Sequence, residues 1–457
     1  MKTQRLEIKK LGINGEGIGY INRKITFVRG ALPSEEVEVE ITNETNNFKE
    51  GKLVKIIKPS KHRQTVPCFN QTNCLGCPIM QLSYEEQLYY KKDIIRDSLR
   101  KYTNTDIRRF DFRKTIAAIK LEGYKDTVHL PIVKFNDKVT FGIYQRETKY
   151  LTVMSKCGVQ NPIINRCLND LENLFEKTTA SAYSELYRKG LRFLTIRHFN
   201  GKLQLIFVTG RDTLSEQLIE LIGQLDYVES IYYTINTNKG QDFTAGRYHK
   251  VYGKTRQEFK LKSNKFIISP KSDFPINTSM VETVVDLVNK LIGERELSVL
   301  EINGGIGWLS LNLDEKVSVK GIEFNKQHIE DATLNAKFLR KDHCSYEFGK
   351  IDELVKTLTK NKSFDMFIVH APRLGMRTSI KDSLIKGKIK EVIYLSSSPS
   401  SLAKDIGELE KYYQIESIIP VDDMPHSQNV QVIAKLKWRY HDLSLIHISE
   451  PTRLQLI

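Results

Sequence analysis

The sequence predicts a multidomain α/β protein, and three observations lead there. Residues 1–60 alternate short strand-like runs with Gly-rich turns, the text of a small all-β unit. Residues 61–270 are mixed, with a cysteine cluster followed by helical and strand-like stretches. From 271 to 443, short apolar strands alternate with longer amphipathic segments, as in a doubly wound sheet. At 457 residues the chain has room for three such units.

Composition narrows the class. The hydrophobic fraction of 40% and charged fraction of 27% are those of soluble globular proteins. No apolar run is long enough to cross a bilayer, and the opening MKTQRLEIKK has no apolar signal core, so a cytoplasmic protein without membrane contact is expected. The net charge of +15 fits either a solvated lysine surface or a polyanion partner, whose binding releases counterions. Six unevenly spaced cysteines do not make a disulfide scaffold.

In the first unit, Arg5-Leu6-Glu7-Ile8 and Val37-Glu38-Val39-Glu40-Ile41 alternate as half-buried strands, with Gly15, Gly17 and Gly19 as a turn or bulge between strands. Ser83 and Glu86 have the spacing of a capping box. Tyr84, Leu88, Ile95 and Leu99 then recur on one face, which predicts a structural amphipathic helix. From about 105 to 270, runs such as 203–208 predict an antiparallel-rich α/β insert.

In the last unit, strands are predicted at 298–302, 317–323, 364–369 and 391–395. Glu301-Ile302-Asn303-Gly304-Gly305-Ile306-Gly307 follows the first of these, with a helix predicted from near Trp308. Glycines there let the backbone approach a ligand at a helix N-terminus. Glu323 ends the next strand, about 20 residues on, where an acid holds ribose hydroxyls. Together they point to a nucleotide-type ligand.

Cys68, Cys74 and Cys77 form C-x5-C-x2-C, and Cys157 stands alone before Gly158-Val159-Gln160-Asn161-Pro162. Four thiolates hold either zinc or a [4Fe-4S] cluster, and spacing alone puts zinc first. Cys167 and Cys344 fit no ligand position and are expected as buried small hydrophobes.

Tyr394-Leu395-Ser396-Ser397-Ser398-Pro399-Ser400-Ser401-Leu402-Ala403-Lys404-Asp405 resembles the catalytic loop of the SAM-dependent RNA uracil-C5 methyltransferases, Tyr-Val-Ser-Cys-Asn-Pro-x-Thr-Leu-Ala-Arg-Asp. The likeness continues in family order over residues 1 to about 440. GEGIGYI, ITFVRGALPSEEVEVEI and GKLVKII resemble a TRAM domain, an OB-like barrel that often binds RNA. The resemblance implies an N-terminal TRAM barrel over 1–60. It implies an iron–sulfur segment and RNA-binding central domain over 61–270, and a Rossmann-like SAM methyltransferase domain over 271–443. It also implies that Cys68, Cys74, Cys77 and Cys157 carry a [4Fe-4S] cluster supporting folding or RNA docking. In the Gly loop, Gly305, Gly307, Ser310 and Leu311 match the family, Glu301 replaces an Asp, and Trp308 replaces a small Thr. The loop and Glu323 favour S-adenosyl-L-methionine; the bulk of Trp308 opposes it.

Four reactive positions depart from the family. Uracil-C5 methylation needs a thiolate to add to C6, and Ser397 stands where the family keeps that Cys. Gln431 replaces the Glu that removes the C5 proton. His370 replaces an acid that orients the uracil, and Pro275 replaces a side-chain amide that contacts the ligands. His426 is expected as a surface histidine, and Tyr124-Lys125-Asp126-Thr127 as an altered RNA-contacting stretch. The resulting expectation is a monomeric RNA-binding protein, its partner 23S rRNA or fragments of it, without m5U activity. Two rivals are a methyltransferase with altered chemistry, using Ser397 with His370, and an iron–sulfur redox-responsive RNA binder. Residues 444–457 resemble a translated sequencing adapter and are set aside as a non-native tail.

Overall fold

The computed structural model describes residues 3–68, 70–71, 74, 76–144, 151–154, 156–238, 240 and 246–439. The tail from 444 therefore lies outside the described residues. The first unit is a six-stranded sheet built from Thr3–Glu7, Lys10–Leu11, Gly17–Ile21, Lys24–Val28, Glu36–Glu44 and Phe48–Lys58. Its spatial order is first, fifth, sixth, fourth, third, second. Leu6, Ile8, Ile21, Val28, Val37 and Val39 fill its interior. Of the three glycines read as a turn, only Gly15 turns, with φ +83°. Gly17 and Gly19 lie inside a strand, where a Cβ would come within 2.7 Å of the Ala31 carbonyl and 2.5 Å of the Glu7 carbonyl. Their role is close backbone packing.

The helix Tyr84–Tyr102 forms as expected, but Ser83 makes no side-chain capping bond. Its buried face also differs from the expected apolar stripe: Gln87, Lys91 and Ser98 lie on it beside Tyr90, Ile94, Ile95 and Leu99. Ile95 and Leu99 join the core of the C-terminal sheet, with Leu402 and Ile406.

The central sheet has seven strands. In spatial order they are Leu151–Val153, Lys138–Tyr144, Thr127–Phe135, Leu191–Phe199, Lys202–Thr209, Val228–Ile235 and His249–Gly253. Every pairing is antiparallel except Lys202–Thr209 with Val228–Ile235. Helices Pro162–Glu176 and Glu216–Gly223 cover the face that carries Leu194, Ile196, Leu205 and Phe207. Cys167 is buried there, and Cys344 in the last unit, both as expected.

The C-terminal sheet has eight strands. Cys344–Phe348, Val317–Glu323, Leu297–Ile302, Met366–Ala371 and Glu391–Ser396 run parallel, and Gln431–Trp438 follows antiparallel. Tyr413–Val421 comes next, and Asp111–Phe112 closes the edge. This last strand comes from the 61–270 segment, so the C-terminal sheet borrows from the unit before it. The helix expected near Trp308 is absent; a 3-10 turn at Ser310–Asn312 takes its place. Only 14 residues separate Ile302 from Val317, and the Asn312 amide folds back onto the Trp308 carbonyl at 2.7 Å. Among the described residues no helix is long and apolar enough to cross a membrane.

One ion pair ties these parts together. Lys91 and Asp422 are both fully buried, with Nζ 2.5 Å from Oδ1. Burial pulls the Lys91 pKa down even against the raising effect of Asp422. A pair whose solvation loss is this large is costly to break and cheap to replace as a unit. Lys91→Met should therefore destabilise by about 3–5 kcal/mol in denaturant unfolding, by stranding Asp422. Lys91→Met with Asp422→Leu should recover most of that loss.

Candidate active site

Open parallel sheets present their ligands to the C-terminal ends of their strands. Glu301, Glu323, His370 and Ser396 all lie at that edge. The strand Leu297–Ile302 delivers Glu301, which is fully buried. Its Oε1 is 2.9 Å from His370 Nε2, while Oε2 is buried and, among the described residues, without a hydrogen-bond partner. Asn303 follows with φ +58°; its amide donates to the His370 carbonyl at 3.2 Å, and its Oδ1 is likewise buried and unpaired. At Gly304 a Cβ would lie 2.4 Å from the Glu301 carboxyl carbon, so only glycine fits; at Gly305 it would meet open space. The loop is a cradle with two unsatisfied acceptors.

Glu323 closes one side. Its Oε1 accepts from the Phe324 and Asn325 amides at 2.8 and 3.2 Å, and its Oε2 from the Gly305 amide at 3.3 Å. The acid thus braces the Gly loop. Trp308 is half-buried and meets His370 edge-on, with centroids 5.9 Å apart.

On the acceptor side, Ser396 pairs in register with Val432, and Val421 with Gln431. Ser397 and Gln431 therefore emerge side by side at the same sheet end. His370 is one strand away, in register with Leu395. Ser397 is exposed, and among the described residues its hydroxyl has no hydrogen bond; Ser396, Ser398 and Ser401 bond to their own neighbours instead. The Ser397–His370 pair of the rival reading is not formed, because His370 Nε2 is held by Glu301. Pro275 offers only its carbonyl, to Thr127 at 3.4 Å, while Asn277 two residues on donates to the Asp423 carbonyl at 2.8 Å.

The two acceptor loops are locked together by Asp405. Its Oδ2 accepts from the Met376 amide and the Tyr394 hydroxyl, both at 2.6 Å, and its Oδ1 meets Lys381 at 3.0 Å. Ser401 adds a bond to the Arg373 carbonyl at 2.6 Å.

Two expectations change. His426 is buried, not on the surface; it has φ +67°, with Nδ1 3.2 Å from the Gln87 amide, and burial lowers its pKa. Tyr124 and Asp126 are also buried. Tyr124 donates to the Pro425 carbonyl at 2.9 Å, and Asp126 joins His198, Asn161 and Thr278. They join domains rather than face RNA. Lys91, Gln87 and Asp422 were missed, although Gln87 and Lys91 share a helical face with Tyr84, Leu88 and Ile95.

The four cysteines are drawn into one region. Cys68, Cys77 and Cys157 pack against Met80, Tyr124 and Val159, and Cys74 lies within electrostatic reach of Cys157 and Cys68. Burial pushes the Cys77 thiol up to about 12 and raises Cys74 as well. Among the described residues no three Cys, His, Asp or Glu side chains stand in metal-holding geometry.

A Rossmann-like sheet with a Gly cradle, preceded by a small six-stranded β unit, defines a class I methyltransferase architecture with an added N-terminal module. Residues 1–54 match the TRAM domain, and residues 83–437 match the tRNA (Uracil-5-)-methyltransferase family. The chain belongs to that family. It is 32% identical over 446 residues to an uncharacterized RNA methyltransferase of Bacillus cereus, covering 95% of this chain and 96% of the relative. A Streptococcus agalactiae relative with the same description is 30% identical, with 94% and 97% covered. The fold is that of the Pyrococcus abyssi tRNA (uracil-54, C5)-methyltransferase, solved with S-adenosyl-L-homocysteine. The TM-score is 0.77 at 23% identity, covering 94% of this chain and 99% of that one.

Asp405→Ala would leave the Met376 amide and the Tyr394 hydroxyl without their acceptor. It should cost about 2–4 kcal/mol. Amide exchange at Met376 should rise well before global unfolding, and unchanged protection there would show that Asp405 does not hold the loop.

Proposed function

We propose that the chain binds RNA, with 23S rRNA the expected partner, and does not carry out uracil-C5 methylation. The observation that carries this reading is Ser397: exposed, without a hydrogen-bonded base, and beside Gln431. A hydroxyl is far less acidic than a thiol, so it adds to C6 only with a strong base at hand. An amide at 431 takes no proton from C5. His370, the nearest imidazole, is engaged by Glu301.

The donor cradle supports retention of S-adenosyl-L-methionine, whose chemistry is the supply of a methyl group. The unpaired Oε2 of Glu301 suits a cationic ammonium group, and the open side at Gly305 admits close approach to the backbone. This same cradle favours, as a second reading, methyl transfer by another chemistry.

Cys68, Cys74, Cys77 and Cys157 suit a [4Fe-4S] cluster in their donor type and their gathering in one half-buried region. Its role would be to order residues 63–80, which have little apolar content of their own.

The protein should transfer no methyl group from S-adenosyl-L-methionine to uracil C5 and form no adduct with 5-fluorouridine RNA. Ser397→Cys alone should permit the adduct without turnover; turnover should require Gln431→Glu as well, and further changes at His370 and Pro275 to orient the base. Robust m5U formation by the unmodified chain would falsify this reading. Anaerobically purified protein should contain about four irons, lost on Cys77→Ser. Stoichiometric zinc without iron would overturn the cluster assignment.

A further inference from the structure

We propose that Leu374 is a wedge that packs against an unpaired nucleobase beside the nucleotide held at the site; this rests on the RNA-binding reading above. Its side chain is 97% exposed, more than any other large apolar side chain among the described residues. A single exposed leucine is ordinary on a protein surface. Three observations set this one apart.

The first is rigidity. The Arg373 carbonyl accepts from Ser401, the Gly375 amide donates to the Pro372 carbonyl at 2.9 Å, and the Met376 amide donates to Asp405. Gly375 has φ +94°, and a Cβ there would lie 2.7 Å from Asp405 Oδ2. Both flanks of Leu374 are therefore fixed, and its projection into solvent is built into the loop. The second is position. The loop follows the strand Met366–Ala371, which carries His370, and Ser401, which pins the loop, lies on the helix Pro399–Leu409 that starts two residues after Ser397. The third is charge. Arg373 is exposed and has no carboxylate partner among the described residues, whereas Arg377 is paired with Asp352 at 2.7 Å.

A free cation next to a rigid apolar side chain matches a backbone phosphate next to a base face. A paired helix offers no base face to a leucine, but an unstacked nucleotide does. Enzymes that act on a base must draw it out of its stack, and the gap that remains needs filling. The loop is placed to fill it.

The test uses the full chain with p-benzoylphenylalanine at position 374. The control carries it at Phe338, which is exposed at the C-terminal end of the helix Lys326–Phe338 and so lies toward the opposite sheet edge. Each is mixed with deproteinised 23S rRNA and irradiated, and crosslinks are mapped by reverse-transcription stops; filter binding is measured in parallel. Crosslinks from 374 should exceed those from 338 by at least about tenfold and converge on a base next to a uridine. Leu374→Ala should weaken binding about tenfold, and Leu374→Met should retain most of it. Leu374 is exposed, so these changes should leave folding intact. Binding with equal crosslinking from the two positions, or unaltered affinity of Leu374→Ala, would sink the wedge and leave the RNA reading standing. Absence of any RNA binding by the wild-type chain would sink both.

Discussion

The structure turns on the buried Lys91–Asp422 pair. Asp422 opens the irregular segment that leads from the strand Tyr413–Val421 to the strand Gln431–Trp438. A buried segment without regular structure must find partners for its backbone groups. Here they come from every side. Lys91 bonds the Met424 carbonyl, Tyr124 the Pro425 carbonyl, Ile79 the His426 carbonyl, and Asn277 the Asp423 carbonyl. The cysteine segment, the long helix, the central domain and the C-terminal domain meet on about five residues. Burial disfavours the charged form of Lys91 against the attraction of Asp422, and a buried pair of this kind is weak evidence of net stability. The pair specifies which parts meet, and the carbonyl bonds follow.

That arrangement has a consequence for the site. Gln431 begins the strand at the far end of this segment, and the cysteines Cys68, Cys74 and Cys77 lie just before Ile79. The Ile79–His426 bond and the Gln87–His426 pair fasten the cysteine segment and the long helix to the segment that leads into Gln431. On the other side of the site, Asp405 and Ser401 fix the loop of His370 to the loop of Ser397. Both loops rest on rigid elements. Rigid presentation is what a binding surface needs as much as a reaction does.

Much of this was legible in the sequence, for identifiable reasons. Four of the five parallel strands were legible, and 317–323 matches its observed bounds, whereas Cys344–Phe348 was not, because Cys-Ser-Tyr-Glu-Phe has neither an apolar run nor a clear alternation. Glu301, Glu323, His370, Ser397 and Gln431 all came to one edge because each ends or begins a strand. The helix near Trp308 failed because glycine loops are ordinarily followed by helices, whereas this crossover is too short to hold one. Gly17 and Gly19 misled because glycine in a strand and glycine in a turn look alike until the facing backbone is known. Lys91 and Asp422 were illegible as a pair: they are 331 positions apart, and nothing local marks a lysine as buried.

The changes at 301 and 370 are best understood as one event. The family pattern has an acid at each position. Here Glu301 Oε1 lies within hydrogen-bond distance of the group at 370. Two carboxylates this close, in a site this buried, cannot both stay ionised. The longer Glu301 reaches an imidazole where an acid would have repelled it, and the contact turns a like-charge clash into a hydrogen bond. His370 is thus fitted to Glu301, and it braces the Gly loop. An acid introduced at 370 beside Glu301 would face that repulsion, so His370→Asp in the restored variant should be combined with Glu301→Asp.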